Sequence, residues 1–383
     1  MLTGNKGEWS EIYVFLKLLA DGKLNAADEN LNILPDVYYP LVKILRKELL
    51  TNREYVLNGD IELIDGNNGT RLFVVPTLEF IKKSEDLLIA LKAATGRSFS
   101  LPLIEDFLTS IDVHSLTALS TDKSDIRIVV HDQNTGMKPT LGFSIKSMLG
   151  KKATLFNPGA GTNFIFKLLN KKKVTFDLQD FNKSTLAKSK ARMLSSKIAI
   201  RLNELESLGF DIVFDSIQSD TLNLNLQLID SQLPEIISHL VLYKYKSGIS
   251  NLTDLLTNLI NNNPLKFNLS KGHPFYEIKI KNFLTESALG MTPETVFSGI
   301  YDATGGIIIV KETGDLVCYH IYNRTEFQDY LIKNTKLEQA STSEDDNNPG
   351  HPVLTKTKPY KFGWVYTENG ELFIKLNLQI RFK

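Results

Sequence analysis

The sequence predicts a mixed α/β (α+β) fold, and three stretches carry that expectation. Near the start, Trp9, Ile12, Tyr13, Leu16 and Leu19 recur at helical spacing and form one apolar stripe. Further on, the β-branched run Ile126-Arg127-Ile128-Val129-Val130 is followed by a polar turn and an alternating run from Leu141 to Lys146, the pattern of a hairpin. The last part is rich in strand signals, with Thr313-Gly314-Asp315 and Asn369-Gly370 as turns. With 383 residues, 42% hydrophobic and 23% charged, the chain suits one large or two moderate globular domains.

Taken in order, Gly7 to Asp21 reads as a helix, with Asn5 as N-cap, Glu8 completing a capping box and Gly22 as the stop. Asp21 to Asp36 reads as a polar connector and Tyr38 to Leu49 as a helix, because Leu41, Ile44, Leu45 and Leu49 keep helical spacing. Tyr55 to Leu63 and Leu72 to Val75 read as strands around the Asp65 to Gly69 turn, and Leu78 to Ala94 and Leu101 to Ser110 as helices. His114 and His273 are isolated and read as structural. After the hairpin, Thr154 to Ile165 is a small-residue loop opening a strand or short helix. It lacks Gly-Lys-Ser/Thr and so is no nucleotide P-loop. Phe181 to Leu208 reads as one long basic helix. Thr221 to Tyr245 fits a helix through Ile229 and a second starting near Ser231 or Pro234, and Leu252 to Ile260 another helix. Gly306 to Val310 and Leu316 to Tyr322 form a hairpin, Glu326 to Asn334 a short helix, and Gln339 to Pro352 a low-complexity loop. Glu371 to Lys383 reads as one final strand.

Composition excludes several classes. Cys318 stands alone, so there is no internal disulfide and no cysteine-rich zinc site, which suits a reducing cytoplasm. Met1 to Glu11 is polar and reads as no signal peptide, and no apolar run approaches a membrane span of about 20 residues. Net charge is zero but unevenly spread: from Lys138 to Arg201 there are twelve lysines and two arginines against Asp177 and Asp180 alone. A block this basic is the footprint of phosphate binding, with Lys171, Lys172 and Lys173 at its centre. The plainer alternative is a solvated helix surface.

The hairpin also carries chemistry. Asp125 sits at the mouth of its first strand. Ser144 and Lys146 share one face of the second, since strand side chains alternate. A carboxylate at one strand end beside a lysine on the next suits metal-assisted phosphodiester cleavage, the acid holding a divalent cation and the lysine adding positive charge at the phosphate. This spacing resembles the PD-(D/E)XK nuclease core, with Asp125 as first acid and Ser144-Ile145-Lys146 as the D/E-x-K part. Ser144 departs from that pattern, because a hydroxyl is a weaker Mg²⁺ ligand than a carboxylate, and so a further acid is needed. Glu11 on the first helix is favoured for that part over Glu8, which already has a capping role.

Three groups of residues resemble the HpaII family of type II restriction endonucleases. They are Asn5-Lys6-Gly7-Glu8-Trp9-Ser10-Glu11 with Leu18 to Leu24 and Ala27 to Asn32, Gly142 to Ser147 with Thr162 to Ile165, and Tyr319 to Arg324 with Lys375 to Phe382. They span nearly the whole chain. The resemblance implies Mg²⁺-dependent cleavage of double-stranded DNA at CCGG, opposed by a partner cytosine methyltransferase as a genetic counterpart.

The expected architecture is therefore a PD-(D/E)XK-type mixed-sheet nuclease core flanked by helices within residues 1–215. Residues 216–383 are expected to be helical and then β-rich, helping to read DNA. Asp125 and Glu11 are the expected Mg²⁺ ligands, with Ser144 and Lys146 completing the catalytic set. Asn157, Thr162 and Asn163 either contact DNA or cap turns. Asn377, Gln379 and Arg381 are expected on the outward row of the last strand, where amides and cations can read bases. A palindromic target suits a homodimer, although no dimer surface is legible. The rival readings are a non-catalytic DNA-binding protein derived from a nuclease and a structure-selective nuclease.

Overall fold

The computed structural model describes residues 1–48, 51–117, 124–133, 135–191, 196–339 and 362–383. In chain order its elements begin with α1 (Lys6–Asp21), β1 (Lys23–Ala27), β2 (Ile33–Lys47), β3 (Asn52–Asn58), β4 (Asp60–Asp65) and β5 (Arg71–Val75). Then come α2 (Thr77–Ala93), α3 (Pro102–Ser110), β6 (Ile126–Val130), β7 (Thr140–Ser147), β8 (Thr154–Phe156) and β9 (Asn163–Asn170). The middle of the chain holds α4 (Leu178–Ala191), α5 (Lys197–Ser207), β10 (Phe210–Ile217), α6 (Asp220–Ile229), α7 (Leu233–Ser247), α8 (Leu252–Asn262) and α9 (Phe275–Leu289). The remainder is β11 (Gly306–Val310), β12 (Leu316–His320), α10 (Arg324–Asn334), β13 (Thr335–Leu337), β14 (Val365–Glu368), β15 (Glu371–Asn377) and β16 (Ile380–Phe382). The class is α+β, as expected. No helix of the described residues is long and apolar enough to cross a membrane.

The chain forms two compact units, 1–153 with 288–290 and 300–330, and 154–287 with 291–299 and 331–383. These units interleave along the chain, whereas the sequence suggests a division at residue 215. The reason is strand pairing: β11 lies parallel to β7, with Gly306 opposite Phe143, so a segment from late in the chain completes the first unit's sheet. Among the described residues that sheet runs β1-β12-β11-β7-β6-β2-β3-β4-β5. Gly306 has φ +112° and a Cβ there would lie 2.1 Å from Tyr319 O, so only glycine fits this entry to β11.

α1 is built as its sequence dictates. The Asn5 side chain accepts from Gly7 N and Glu8 N, Glu8 closes the capping box, and Gly22 ends the helix at φ 66°. Its apolar residues, among them Trp9, Ile12, Phe15 and Leu16, join Ile128, Phe143, Ile145, Ile308 and Val310 of the sheet in one core.

Several expected elements are corrected. The helix expected over Tyr38 to Leu49 is strand β2 as far as Lys47, and Leu49 lies outside the described residues. A register shift between Leu41 and Lys43 lets Leu41 and Ile44 both turn inward despite their odd spacing, which is why the pattern looked helical. The connector from Asp21 to Asp36 holds β1 and the start of β2. Tyr55 to Leu63 is a hairpin, because Gly59, at φ +77°, turns β3 into β4. Residues 181–208 contain two helices, with Ser196 capping the second, and the residues 192–195 between them lie outside those described. The loop expected at Gln339 to Pro352 falls outside the described residues from 340 onward. β10 and α9 were not anticipated.

In the second unit, β10-β9-β15-β14 form one sheet and β13-β16-β8 another. The final strand is thus two strands in two sheets. The chain changes sheet at Leu378, whose N–H donates to Thr162 O at 2.9 Å.

Candidate active site

The first unit brings Asp125, Ser144 and Lys146 together. Asp125 precedes β6 and its N–H donates to Phe143 O at 2.9 Å, which fixes its height against β7. Its Oδ2 accepts from Ile145 N at 2.6 Å and from Ser144 Oγ at 3.1 Å. Lys146 Nζ donates to Ser144 Oγ at 2.8 Å. The serine that stands where the family's second acid is expected is therefore a bridge: it accepts from the lysine and donates to the aspartate. Ser144 is buried, and Asp125 and Lys146 are half-buried.

α1 supplies the fourth residue. The hydroxyls of Ser10 and Ser147 lie 2.8 Å apart, which ties the helix to the end of β7. Glu11 follows Ser10 and is half-buried. Burial, then the charge of Asp125, raises its carboxyl from an ordinary 4.5 to about 8, while Arg46 and Lys146 act in the opposite direction. Two acids close enough to repel one another, with cations close by, make a candidate pair of divalent-cation ligands. Among the described residues Glu11 accepts no hydrogen bond, and Asp125 Oδ1 accepts none either. The donor set is hard oxygen, which fits Mg²⁺. Among the described residues no group of three or more His, Cys, Asp or Glu converges, so water and substrate oxygens would complete the coordination.

Arg46 and Glu48 were passed over by the sequence reading, which put them in a helix. They are buried on and just after β2, and nothing in their spacing singles them out.

The residues expected at DNA lie in the second unit and divide into two sets. Asn157 and Lys171, Lys172 and Lys173 are exposed; Lys171 pairs with Asp211. Thr162, Asn163, Asn377 and Gln379 are buried. Asn377 Nδ2 donates to Gly159 O at 2.9 Å, Thr162 Oγ1 at 3.0 Å and Asn163 Oδ1 at 2.8 Å. Asn163 Nδ2 donates to Gln218 Oε1 at 2.9 Å. The expectation that Asn377 and Gln379 face outward is thus corrected. The sheet change at Leu378 breaks the alternation, and the Asn377 amide is spent on Gly159, Thr162 and Asn163 in a tight corner. Arg381 is half-buried and lies 3.5 Å from Glu338.

An acid pair beside a strand-borne lysine is a set of groups suited to one class, the phosphodiester-cleaving nucleases. The comparisons agree and narrow it. The HpaII restriction endonuclease model matches residues 5–382. The type II restriction enzyme HpaII of Haemophilus parainfluenzae is 42% identical over 381 residues, covering 99% of this chain and 98% of that protein. The chain belongs to the HpaII restriction endonuclease family, whose members are site-specific deoxyribonucleases. No solved structure matches it significantly.

Proposed function

We propose that this chain is a type II restriction endonuclease with a PD-(D/E)XK-type core that cleaves double-stranded DNA at CCGG in a Mg²⁺-dependent reaction. The observation that carries the reading is the Lys146–Ser144–Asp125 chain of hydrogen bonds at 2.8 and 3.1 Å, with Glu11 held nearby by α1. The CCGG target follows from the resemblance to the HpaII family, and with it go a counterpart cytosine methyltransferase, a cytoplasmic setting and a homodimer on a palindromic target.

Glu11 and Asp125 would hold Mg²⁺. When bound, the ion supplies Lewis acidity, offsetting charge on the phosphate and lowering the pKa of water. The protein's own groups do the rest. Asp125 is oriented by the Ile145 N–H, so its carboxylate is fixed before substrate arrives. Ser144 restrains the Lys146 amine, and Lys146 carries positive charge to the attacking water or the developing pentacovalent phosphate. Incubating supercoiled plasmid with the protein tests this reading. A set of discrete fragments in Mg²⁺, and intact plasmid after chelation, is the expected result. Intact plasmid in both favours a non-catalytic DNA-binding protein, and cutting only of branched DNA favours a structure-selective nuclease.

A further inference from the structure

Gly142, on β7, lies against the residue that precedes Asp125. Ser124 is 3% exposed, and a Cβ at Gly142 would stand 2.8 Å from Ser124 Cβ, 3.0 Å from Ser124 Oγ and 3.1 Å from Asp302 O. Gly142 has no positive φ, so its backbone conformation suits ordinary residues. Room alone demands glycine here, whereas Gly306 also needs its positive φ. The backbone of Gly142 is held by the segment that enters β11. Its N–H donates to Thr304 Oγ1 at 3.1 Å, and its carbonyl accepts from Gly305 N at 2.7 Å. Asp302 N and Ala303 N donate in turn to Leu289 O, at 3.0 and 3.2 Å.

Ser124 and Asp125 together meet four consecutive residues of β7. Ser124 packs on Gly142. Asp125 N–H donates to Phe143 O at 2.9 Å, and Asp125 Oδ2 accepts from Ser144 Oγ at 3.1 Å and from Ile145 N at 2.6 Å. Phe143, Ser144 and Ile145 hold the aspartate by hydrogen bonds, and Gly142 admits its neighbour by having no side chain. A methyl group at 142 cannot coexist with Ser124 Cβ at 2.8 Å, because packed interiors leave no such slack. Ser124 must then move, and Asp125 is joined to it by a peptide bond. Ligands that converge on one ion tolerate displacements of only about 0.5 Å.

We infer that Gly142 is a positioning residue for Asp125: the room left by its missing side chain seats Ser124, and through Ser124 it sets where the Asp125 carboxylate sits on β7. The inference rests on reading Asp125 as a cation-binding acid of the proposed nuclease.

A double-mutant cycle of Gly142→Ala with Ser124→Gly tests it on the intact protein, since Ser124→Gly removes the atoms that the new methyl would meet. Two quantities are read well below each variant's melting temperature: Mn²⁺ affinity without DNA, by calorimetry, and the single-turnover rate on saturating cognate duplex in Mg²⁺. Gly142→Ala should lower both by about tenfold, the size usual for a residue that supports a metal ligand. Added to Ser124→Gly, the same change should leave both nearly where Ser124→Gly alone puts them. A glycine needed only for folding predicts a lower melting temperature with parental Mn²⁺ affinity and rate, and that result overturns the inference. So does a loss of equal size in the parent and in the Ser124→Gly background. If Gly142→Ala alone does not fold, the double variant decides by comparison with Ser124→Gly: equal values support the inference, and a folded double variant that neither binds Mn²⁺ nor cuts overturns it. Asp125→Asn is the control on the underlying reading: parental Mn²⁺ binding and cutting there reject Asp125 as the acid, whatever Gly142 does.

Discussion

Lys146 donates to the Ser144 hydroxyl at 2.8 Å, and that same hydroxyl donates to Asp125 at 3.1 Å. The serine thus bridges the two residues proposed to carry the phosphodiester chemistry. Ser144→Ala should leave the fold within about 1 kcal/mol, because one net hydrogen bond is worth roughly that. It should slow cleavage by roughly tenfold, about 1.4 kcal/mol in the barrier, as the lysine loses its restraint. Single-turnover rates on a cognate duplex check this. A rate equal to the parent's would make Ser144 a filler.

Glu11 gives a pH dependence with a definite sign. Its carboxyl is raised from 4.5 to about 8 in the folded protein, so between those values the folded state holds a proton that the unfolded state has released. Its contribution to stability is full below pH 4.5 and is lost as pH rises through about 8. In the absence of divalent cations, Glu11→Gln should therefore gain melting temperature on the parent as pH rises from 5 to 8. Mg²⁺ should narrow the gap by favouring the ionised parent. A constant gap across that range, with or without Mg²⁺, would count against the shifted carboxyl.

The N-cap of α1 carries the site indirectly. Asn5→Ala removes the acceptor for Gly7 N and Glu8 N and should cost about 1 kcal/mol. Denaturant midpoints measure it. Loss of cleavage without loss of stability would mean that Asn5 acts in chemistry instead.

Asn377 and the lysine cluster should part company. Asn377→Ala strips three acceptors of a buried donor and should destabilise the protein by about 1–3 kcal/mol. Lys171→Ala, Lys172→Ala and Lys173→Ala combined should barely move stability. If these exposed lysines meet phosphates, the triple variant flattens the slope of log K against log salt for cognate and scrambled duplexes alike. Salt titrations in Ca²⁺ read this, and an unchanged slope assigns the cluster to solvent.

What the sequence made legible was local. Asn5, Glu8 and Gly22 define α1 by capping chemistry that acts within a few residues, and the Asp125 hairpin by alternation and a turn. What it hid depended on distant partners. β2 looked helical because a bulge changed the parity of Leu41 and Ile44, and a bulge is visible only against the strands beside it. The turn at Gly59 was an Asn-Gly signal overlooked within an apolar run. Asn377 appeared outward because alternation was carried through Leu378, where the chain changes sheets. Among the acids, Glu11 was legible as a candidate from its helix and from the missing carboxylate at Ser144. Arg46 was not, since its position depends on β2 being a strand beside β6.

The most direct test is to map the ends produced from a DNA of known sequence by the parent, Asp125→Asn and Lys146→Ala in Mg²⁺, after showing by binding in Ca²⁺ that all three still hold cognate duplex. The account predicts discrete ends at every CCGG for the parent and no cutting by either variant. Parental cutting by Asp125→Asn or Lys146→Ala would contradict it, because the chemistry would then lie away from β6 and β7.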